Sequence, residues 1–234
     1  RALTTNPAGD SSPVISPDGR TLAFVSQREG DTAPQLYLLP LAGGEPARIT
    51  TVPTGVGQPK WFPDGRRIAF LSRVWPDLDT MEKQGARQKE RADAKTSAQI
   101  WDIGPVYFWD TWLDDRQLHV LAVGVEGGEP VNLTAGTGLE LPRSEVQLNS
   151  PLFDISPDGK ELAFVADTDP AINVTNADVY TVSIGGKDAV NRSAGNAADD
   201  GVPMYSPDGR WLAYAQQRTP GFYGDLRRLM LMDR

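Results

Sequence analysis

Few residues in this sequence could carry out acid–base or nucleophilic chemistry. A serine hydrolase needs a nucleophile, a base and an orienting acid, but the 234 residues contain no Gly-x-Ser-x-Gly turn. The nearest fragment, Arg192–Gly195, lacks the first glycine. His119 is the single histidine and lies in an apolar run, where a strand residue is a simpler interpretation than a catalytic base. We therefore predict no catalytic residue in this chain.

Metal or cofactor chemistry is equally poorly supported by the residue types present. Zinc sites draw on several histidines or cysteines, and the chain has one histidine and no cysteine. Calcium prefers clustered oxygens, which Asp199 and Asp200 or the aspartates of repeated turns could supply, although the turns themselves explain those aspartates. The pair Asp114 and Asp115 could serve acid–base work, but neighbours in sequence need not converge in space. The sequence predicts no metal and no cofactor.

The segment from Trp75 to Trp112 combines charged helix formers with a dense group of aromatic residues. We predict a helix capped by Asp77 and extending to about Lys95, polar on nearly all sides. Aromatic side chains then crowd into a dozen residues: Trp101, Tyr107, Phe108, Trp109 and Trp112. Interfaces favour Trp, Tyr and Arg. The candidate site residues, near a second domain or a ligand entrance, are Arg73, Trp75, Trp109 and Trp112. Alternatively, the aromatics pack the irregular strands around the insertion.

A sequence motif that occurs four times predicts the strands that must position these residues. It reads SPDGRTLAFVSQ from Ser16, FPDGRRIAFLSR from Phe62, SPDGKELAFVAD from Ser156 and SPDGRWLAYAQQ from Ser206. Proline presets the first corner of a turn, aspartate hydrogen-bonds its own backbone, and glycine takes the left-handed position. The apolar run that follows each turn predicts a strand buried on both faces.

Each phrase opens a unit of four predicted strands. In the first unit, residues 35–41 predict a third strand, Gly43 and Gly44 a tight turn, and Ala47 to Thr50 a fourth strand. Similar blocks recur around residues 119–134 and 178–193. Four-stranded antiparallel units repeating at this spacing are typical of β-propeller blades. We predict an all-β fold, a β-propeller of about four blades, with a single propeller region over residues 1–234.

The spacing of the turn glycines is irregular at one place. Gly19 to Gly65 is 46 residues and Gly159 to Gly209 is 50, whereas Gly65 to Gly159 is 94. We favour an insertion of about 36 residues between the second and third strands of the second unit, which assigns residues 75–112 to a helical and aromatic insertion. The alternative is a degenerate blade in which residues 113–116 form a diverged version of the repeated turn.

Both ends of the sequence resemble interior parts of the repeat. Residues 1–4 match Ala47 to Thr50, which predicts the last strand of a blade, and Arg227 to Arg234 reads as a third strand. The blades at the two ends are therefore expected to be incomplete. Arg1 is not an initiator methionine, so we expect a processed form or a piece of a longer propeller, although a small four-bladed ring is conceivable.

The overall composition excludes several kinds of partner. With 23 basic and 31 acidic residues the net charge is −8, and no basic stripe occurs, so we expect neither nucleic acid nor membrane as a partner. No apolar run approaches the roughly 20 residues that span a bilayer. The absence of cysteine does not separate cytoplasm from periplasm, so the compartment is left open.

The repeat SPDG-x-x-LAF followed by LYLLPLAGGEPARIT resembles the propeller repeat of TolB-like proteins and of the prolyl oligopeptidase family of serine peptidases. Two segments, LSRVWPDL from Leu71 and the stretch from Ala198 to Arg234, resemble acylaminoacyl-peptidase and dipeptidyl-aminopeptidase-like members. The resemblance covers essentially the whole chain. Because the sequence contains no hydrolase motif, none of the family's catalytic residues can be assigned to it.

The resemblance implies a propeller that covers an α/β-hydrolase domain of the same polypeptide and admits only short or unstructured peptides. On this hypothesis the chain is non-catalytic and its partners are that hydrolase domain and short peptide substrates. The alternative is a TolB-like propeller that acts as a protein-binding scaffold without enzymatic activity. A propeller enzyme with a metal in its channel is disfavoured by the single histidine.

Overall fold

The computed structural model describes residues 2–95, 107–108, 111–142, 151–168, 176–222 and 224–234. Within these residues the chain is all-β, with four small antiparallel sheets, a two-stranded hairpin and one helix. Each sheet has the size and strand order of a propeller blade, as the repeat predicts. The chain divides into two compact units, unit 1 (Arg1–Lys95 and Val120–Asn132) and unit 2 (Thr96–His119 and Leu133–Arg234).

Blade 1 contains four strands in chain order: β1 (Asp10–Ile15), β2 (Thr21–Ser26), β3 (Gln35–Pro40) and β4 (Ala47–Arg48). Blade 2 begins with β5 (Gly57–Trp61) and β6 (Arg67–Val74). Helix α1 (Met81–Asp93) and the hairpin of β7 (Tyr107–Phe108) and β8 (Thr111–Trp112) follow in sequence. The blade is completed by β9 (Gln117–Gly124), which lies beside β6, and β10 (Gly127–Asn132). The long segment therefore connects the second and third strands of one sheet.

Blade 3 contains β11 (Phe153–Ile155), β12 (Glu161–Asp167), β13 (Ala177–Ser183) and β14 (Val190–Asn191). Blade 4 contains β15 (Asp200–Tyr205), β16 (Trp211–Gln216) and β17 (Arg228–Asp233). The prediction of a third strand near the end of the sequence is confirmed by β17, which pairs with β16 over six residues. The predicted strand at residues 1–4 is wrong, because residues 2–5 are not in a strand and pair with no described strand.

The turn between the first two strands of each blade is built as its sequence predicts. In blade 1, Asp18 Oδ1 accepts a hydrogen bond from the Arg20 amide at 3.1 Å, and Gly19 has φ of +72°. Ser16 stabilises the turn further, because its hydroxyl donates a hydrogen bond to Asp18 at 2.6 Å and accepts one from the Thr21 amide at 2.9 Å. The bond from Ser16 is the main reason that the pKa of Asp18 lies below its usual value.

The fourth strands of blades 1 and 3 are shorter than predicted because a side chain replaces part of their backbone pairing. Thr50 lies beyond β4, and its hydroxyl accepts a hydrogen bond from the Leu36 amide at 2.9 Å. Ser193 does the same for the Val179 amide at 3.0 Å in blade 3. A hydroxyl acceptor satisfies the third strand without a continued ladder.

Three first strands carry a bulge at the same place. The register shifts between Ser11 and Val14 in β1, between Gly57 and Lys60 in β5, and between Gly201 and Met204 in β15. At each shift a residue other than glycine has positive φ: Ser12 at 50°, Gln58 at 45° and Val202 at 56°. This conformation is unfavourable for a β-branched residue such as Val202, so the surrounding sheet must hold it in place.

In unit 1 an apolar core lies between blades 1 and 2. Ala23 and Leu36 from blade 1 pack in the same cluster as Ile68, Phe70 and Leu121 from blade 2. These side chains come from runs buried on both faces, as predicted for β2 and β6. The apolar contact between the blades, rather than any single hydrogen bond, accounts for most of the stabilisation.

Unit 2 has a corresponding core between blades 3 and 4. Ala163 and Val179 from blade 3 contact Tyr205, Leu212 and Tyr214 from blade 4. Burial differs from the prediction in β16, where buried and half-buried residues alternate instead of forming a fully buried run. The reason is that the face of blade 4 that carries Ala213 is largely exposed, as its neighbours Met204 and Leu231 show. No helix among the described residues is long and apolar enough to cross a bilayer.

Candidate functional site

Helix α1 is fastened to blade 2 through one buried glutamine. Gln84 Oε1 accepts a hydrogen bond from the Trp75 amide at 2.9 Å. Its Nε2 donates to the carbonyls of Trp75 at 2.8 Å and Leu78 at 3.0 Å. Gln84 thus pairs with the backbone that leaves β6, much as a neighbouring strand would. Removing this amide would leave buried backbone groups unpaired.

Three further contacts hold the first half of the helix. The Met81 amide donates to Glu129 Oε1 on β10 at 2.7 Å, and the Met81 side chain packs on the unit 1 core. A Cβ atom at Gly85 would lie 3.2 Å from Pro53 Cγ, so the helix approaches the blade closely there. The start of α1 is therefore held against unit 1 by a hydrogen bond, apolar packing and close backbone approach.

The end of α1, from Lys89 onward, is exposed. Every residue from Lys89 to Lys95 is exposed, and the Lys89 and Asp93 side chains form an ion pair along the helix. Arg87 and Arg91 reach back over the Trp75 ring, with guanidinium carbons 5.8 and 5.1 Å from its centroid. The helix therefore presents a charged end beyond the blade while its base is buried.

The prediction that Asp77 caps α1 is wrong. The cap is Thr80, whose hydroxyl accepts from the Lys83 amide at 3.3 Å, and the helix ends at Asp93 rather than at Lys95. Asp77 lies instead in a turn closed by the Leu78 amide and the Trp75 carbonyl at 3.1 Å, and its carboxylate pairs with Arg87 at 3.0 Å. A residue inside that turn cannot also begin the helix.

The predicted site residues lie in different surroundings. Arg73 is half-buried on β6, and Trp75 follows that strand with only 2% of its surface exposed. Trp112 lies on β8 in unit 2 with 63% of its surface exposed. Trp109 falls outside the described residues. Trp75 therefore lies at the base of α1, where its backbone is hydrogen-bonded to Gln84, while Arg73 lies two residues earlier on β6 and Trp112 lies in unit 2.

An acidic cleft at the turn end of unit 1 was not predicted from the sequence. It has a volume of about 640 Å³ and is lined on one side by Trp61. Four carboxylate residues line it: Asp18, Glu45, Asp64 and Glu126. From the sequence, Asp18 and Asp64 are possible calcium ligands that their turns explain more simply. Equivalent turns of adjacent blades lie at the same end of their sheets. The repeat therefore contained the information that Asp18 and Asp64 would lie at one end of the unit. A cleft of this charge favours cationic groups.

The remaining candidates for chemistry, His119, Asp114 and Asp200, all lie in unit 2. His119 is buried in β9, with Nδ1 2.9 Å from the Thr134 hydroxyl. Asp114 pairs with Arg116 at 2.6 Å. Asp200 is buried near Asp178, and burial above all raises its pKa to about 6. Among the described residues no group of three or more histidine and acidic side chains is placed to hold a metal ion.

Comparison with known proteins connects this fold to peptidases. No family model matches the chain. Dipeptidyl-peptidase 5 of Aspergillus fumigatus is 29% identical over 160 residues, which cover 57% of this chain and 22% of the relative. The chain thus spans about one fifth of the length of the curated relatives that it matches. The match confirms the resemblance to dipeptidyl-peptidase-like proteins that the repeat suggests.

Solved structures give the same fold class. Acylaminoacyl peptidase from Pyrococcus horikoshii superposes with a TM-score of 0.62 at 14% identity, over 96% of this chain and 30% of that one. TolB from Acinetobacter baumannii superposes with a TM-score of 0.58 at 16% identity, over 97% of this chain and 41% of that one. At these identities the likeness shows a β-propeller fold and nothing further. The fold class predicted from the sequence is confirmed.

Proposed function

We propose that this chain is the non-catalytic propeller region of a serine oligopeptidase, and that it covers and gates the active site of a hydrolase domain in the same polypeptide. The observation that carries the proposal is α1, which is buried at its base by Gln84 and Trp75 and fully exposed at its end. The similarity to dipeptidyl-peptidase 5 supports the same class of parent enzyme.

The exposed end of the helix, from Lys89 onward, is not needed to complete the blade. Strands β6 and β9 are neighbours in one sheet, so blade 2 completes its hydrogen bonding without α1. A segment held this firmly at one end, with charges at the other, is suited to meeting a second surface. Arg73 and Trp75 would then position the helix, whereas Trp112 and Trp109 would be the aromatic contacts at the domain surface or the peptide entrance.

The acidic cleft supports peptides as the ligands. The amino terminus of a short peptide is cationic at neutral pH, and the carboxylates of Asp18, Glu45 and Glu126 would attract it. The net charge of −8 adds to the same field. In the proposed enzyme the cleft collects short peptides, and the narrow propeller excludes folded proteins by size.

The test is peptide cleavage by the whole polypeptide that contains this chain. We expect cleavage of short chromogenic peptides that a serine-directed inhibitor abolishes, with no cleavage of a folded protein. Gln84→Ala should loosen α1 and raise kcat/KM for peptides of about 20 residues several-fold relative to dipeptide substrates. Lys83→Ala, on the exposed side of the same helix turn, is the matched control and should leave that ratio unchanged.

Two outcomes would overturn the proposal. One is a polypeptide without inhibitor-sensitive cleavage. The other is a Gln84→Ala variant that melts earlier but keeps the wild-type length preference, which would make α1 purely structural. In the first case the acidic cleft favours the second candidate, a propeller scaffold that binds basic segments of other proteins. Pull-down with an immobilised Lys-rich peptide, lost in Glu45→Gln/Glu126→Gln, would identify that function.

A further inference from the structure

The turn ends of the two blade junctions can be compared residue by residue. Trp61 lies directly before the x-Pro-Asp-Gly turn of blade 2, and Tyr205 lies directly before that of blade 4. Asp18 and Asp158 are the turn aspartates of blades 1 and 3, the other blade of each junction. Both junctions therefore place an aromatic ring and a turn aspartate at the same end of their sheets.

The two junctions differ in the residue that follows the third strand of the second blade. In blade 2 this residue is Val125, whose amide donates to the Arg66 carbonyl at 3.0 Å. In blade 4 it is Arg234, whose amide donates to the Arg210 carbonyl at 2.9 Å. Because Arg66 and Arg210 each follow the glycine of their turn, Val125 and Arg234 occupy equivalent positions.

Arg234 fills the junction between blades 3 and 4 with a guanidinium group. Its Nε donates to Glu161 at 3.0 Å, and its Nη2 lies 3.8 Å from a carboxylate oxygen of Asp158. The guanidinium carbon lies 5.2 Å from the centroid of the Tyr205 ring, and Nη1 donates to the Gly209 carbonyl at 3.4 Å. A planar cation that stacks on a ring and pairs with carboxylates is the arrangement that favours arginine over lysine.

The junction between blades 1 and 2 is open at the equivalent place. Val125 lines the acidic cleft of about 640 Å³, and its side chain carries no charge. Of the acidic residues of the cleft, Asp64 pairs with Arg67 at 3.2 Å. Glu45 and Glu126 are exposed, and neither has an ion-pair or hydrogen-bond partner in the part of the chain that the structure describes. The cleft therefore has the aromatic and acidic groups of the other junction without the cation.

We propose that the acidic cleft of unit 1 binds the guanidinium group of an arginine side chain from a peptide. The guanidinium stacks on Trp61 and pairs with Glu45 and Glu126, as Arg234 stacks on Tyr205 in the other junction. Tryptophan is the most favourable ring for such a contact. The inference deepens the role given to the cleft above and rests on that proposed function for the peptide as the source of the arginine.

The test is the binding of three matched peptides to the 234-residue chain, followed by NMR through the indole N–H of Trp61. The peptides are acetyl-Gly-Arg-Gly-amide and its citrulline and lysine versions, none of which has a free amino terminus. Citrulline keeps the shape of arginine without its charge. At low salt we expect the arginine peptide to bind at least about tenfold more tightly than the citrulline peptide and about threefold more tightly than the lysine peptide.

A substitution that copies the other junction tests the position of the site. Val125→Arg should close the cleft from within, as Arg234 closes its own junction, and weaken binding of the arginine peptide at least about tenfold. The matched control is Val131→Arg, which adds the same charge to β10, where the valine is 62% exposed and does not line the cleft. It should change binding less than about twofold. Glu45→Gln/Glu126→Gln should reproduce the loss without adding a bulky side chain.

The outcomes separate this inference from the proposed function. Equal binding of the arginine and citrulline peptides would overturn it, and so would wild-type affinity in a folded Val125→Arg variant. If triglycine amide with a free amino terminus binds more tightly than the arginine peptide, the cleft receives amino termini and the guanidinium site is wrong. If the whole polypeptide cleaves no peptide while this chain still prefers the arginine peptide, the proposed function fails and the guanidinium site stands.

Discussion

The junction between blades 1 and 2 and the junction between blades 3 and 4 follow the same register but use different chemistry. The first is apolar at nearly every position, with Val14 facing the next blade and Trp61 donating to its carbonyl. The second places Asp154 at the position of Val14 and Tyr205 at the position of Trp61. Asp154 accepts from a backbone amide of blade 4, and Tyr205 donates to Glu161 of blade 3.

This difference shows that the repeated turn sets the register in which two blades meet. It does not set whether apolar packing or hydrogen bonds stabilise the junction. An apolar junction depends on packing and is insensitive to pH, whereas a junction with buried carboxyl and hydroxyl groups depends on their protonation and on complete hydrogen bonding. The polar junction is also extended by Arg234, which donates to Glu161 at 3.0 Å and lies over the Tyr205 ring.

The largest effect should come from truncating the apolar junction. Phe70 is fully buried between blades 1 and 2, so Phe70→Ala should lower the free energy of unfolding by about 3–5 kcal/mol. Tyr214, the equivalent residue of blade 4, is less deeply buried, and Tyr214→Ala should cost less. Urea denaturation of both variants measures the difference. Equal losses would mean that the two junctions contribute similarly despite their composition.

The next effect concerns pH at the polar junction. Asp200 has a pKa of about 6 in the folded chain against 3.8 when unperturbed. The folded state therefore holds this proton more tightly, and stability falls as pH rises from about 4 to about 6. Asp200→Asn should gain about 1–3 kcal/mol at pH 7 and nothing at pH 4. Thermal melts across this range test it, with Asp199→Asn as the neighbouring control. A pH-independent gain would contradict the assignment.

A smaller effect is expected from the hydroxyl that joins blades 3 and 4. Tyr205→Phe removes the hydrogen bond to Glu161 while keeping the ring, and should cost about 1–2 kcal/mol. Burial and that bond raise the pKa of Tyr205, so the phenol stays protonated across the usual range and the loss should be the same at pH 6 and pH 9. Chemical denaturation at both values gives the comparison. A loss confined to one pH would point to Glu161 instead.

The smallest effect should come from the bulges. Val202→Gly relieves a positive φ that valine tolerates poorly, and we expect a net gain of about 0.5–1 kcal/mol after the added freedom of the unfolded chain. Ser12→Gly, at the same bulge of blade 1, should gain less because serine is not β-branched. Differential scanning calorimetry resolves shifts of this size. A loss in Val202→Gly would show that the valine side chain contributes more than its strain costs.

Much of the fold could be predicted because local chemistry repeats. The turn residues Pro17, Asp18 and Gly19 favour one conformation, and the apolar runs after them predict strands, although β16 is only partly buried. The strand at residues 1–4 could not be judged in this way, because a strand exists only with a hydrogen-bonding partner that sequence similarity does not supply. Likewise, the hydroxyl of Thr50 replaces backbone pairing beyond β4, and the alternation of residues along a strand does not predict such a side-chain hydrogen bond.

The candidate site was predicted less completely, for a physical reason. The aromatic and charged residues located the insertion. The position of Trp75 at the base of α1 depends on Gln84, however, and a glutamine in a polar helix gives no sign in the sequence that it will be buried. The acidic cleft depends on carboxylate residues from four separate turns, which no local pattern joins. Amino-acid composition does not show which distant segments of the chain will be in contact.

The way α1 is attached has an evolutionary consequence. Since Gln84 and Met81 secure only the base of the helix, residues after about position 88 can change in number or identity without disturbing the pairing of β6 with β9. Lengthening such a connection costs little, because loop-closure entropy grows only with the logarithm of its length. Blade 2 can therefore acquire new specificities by grafting, while the sheet that carries them is inherited unchanged.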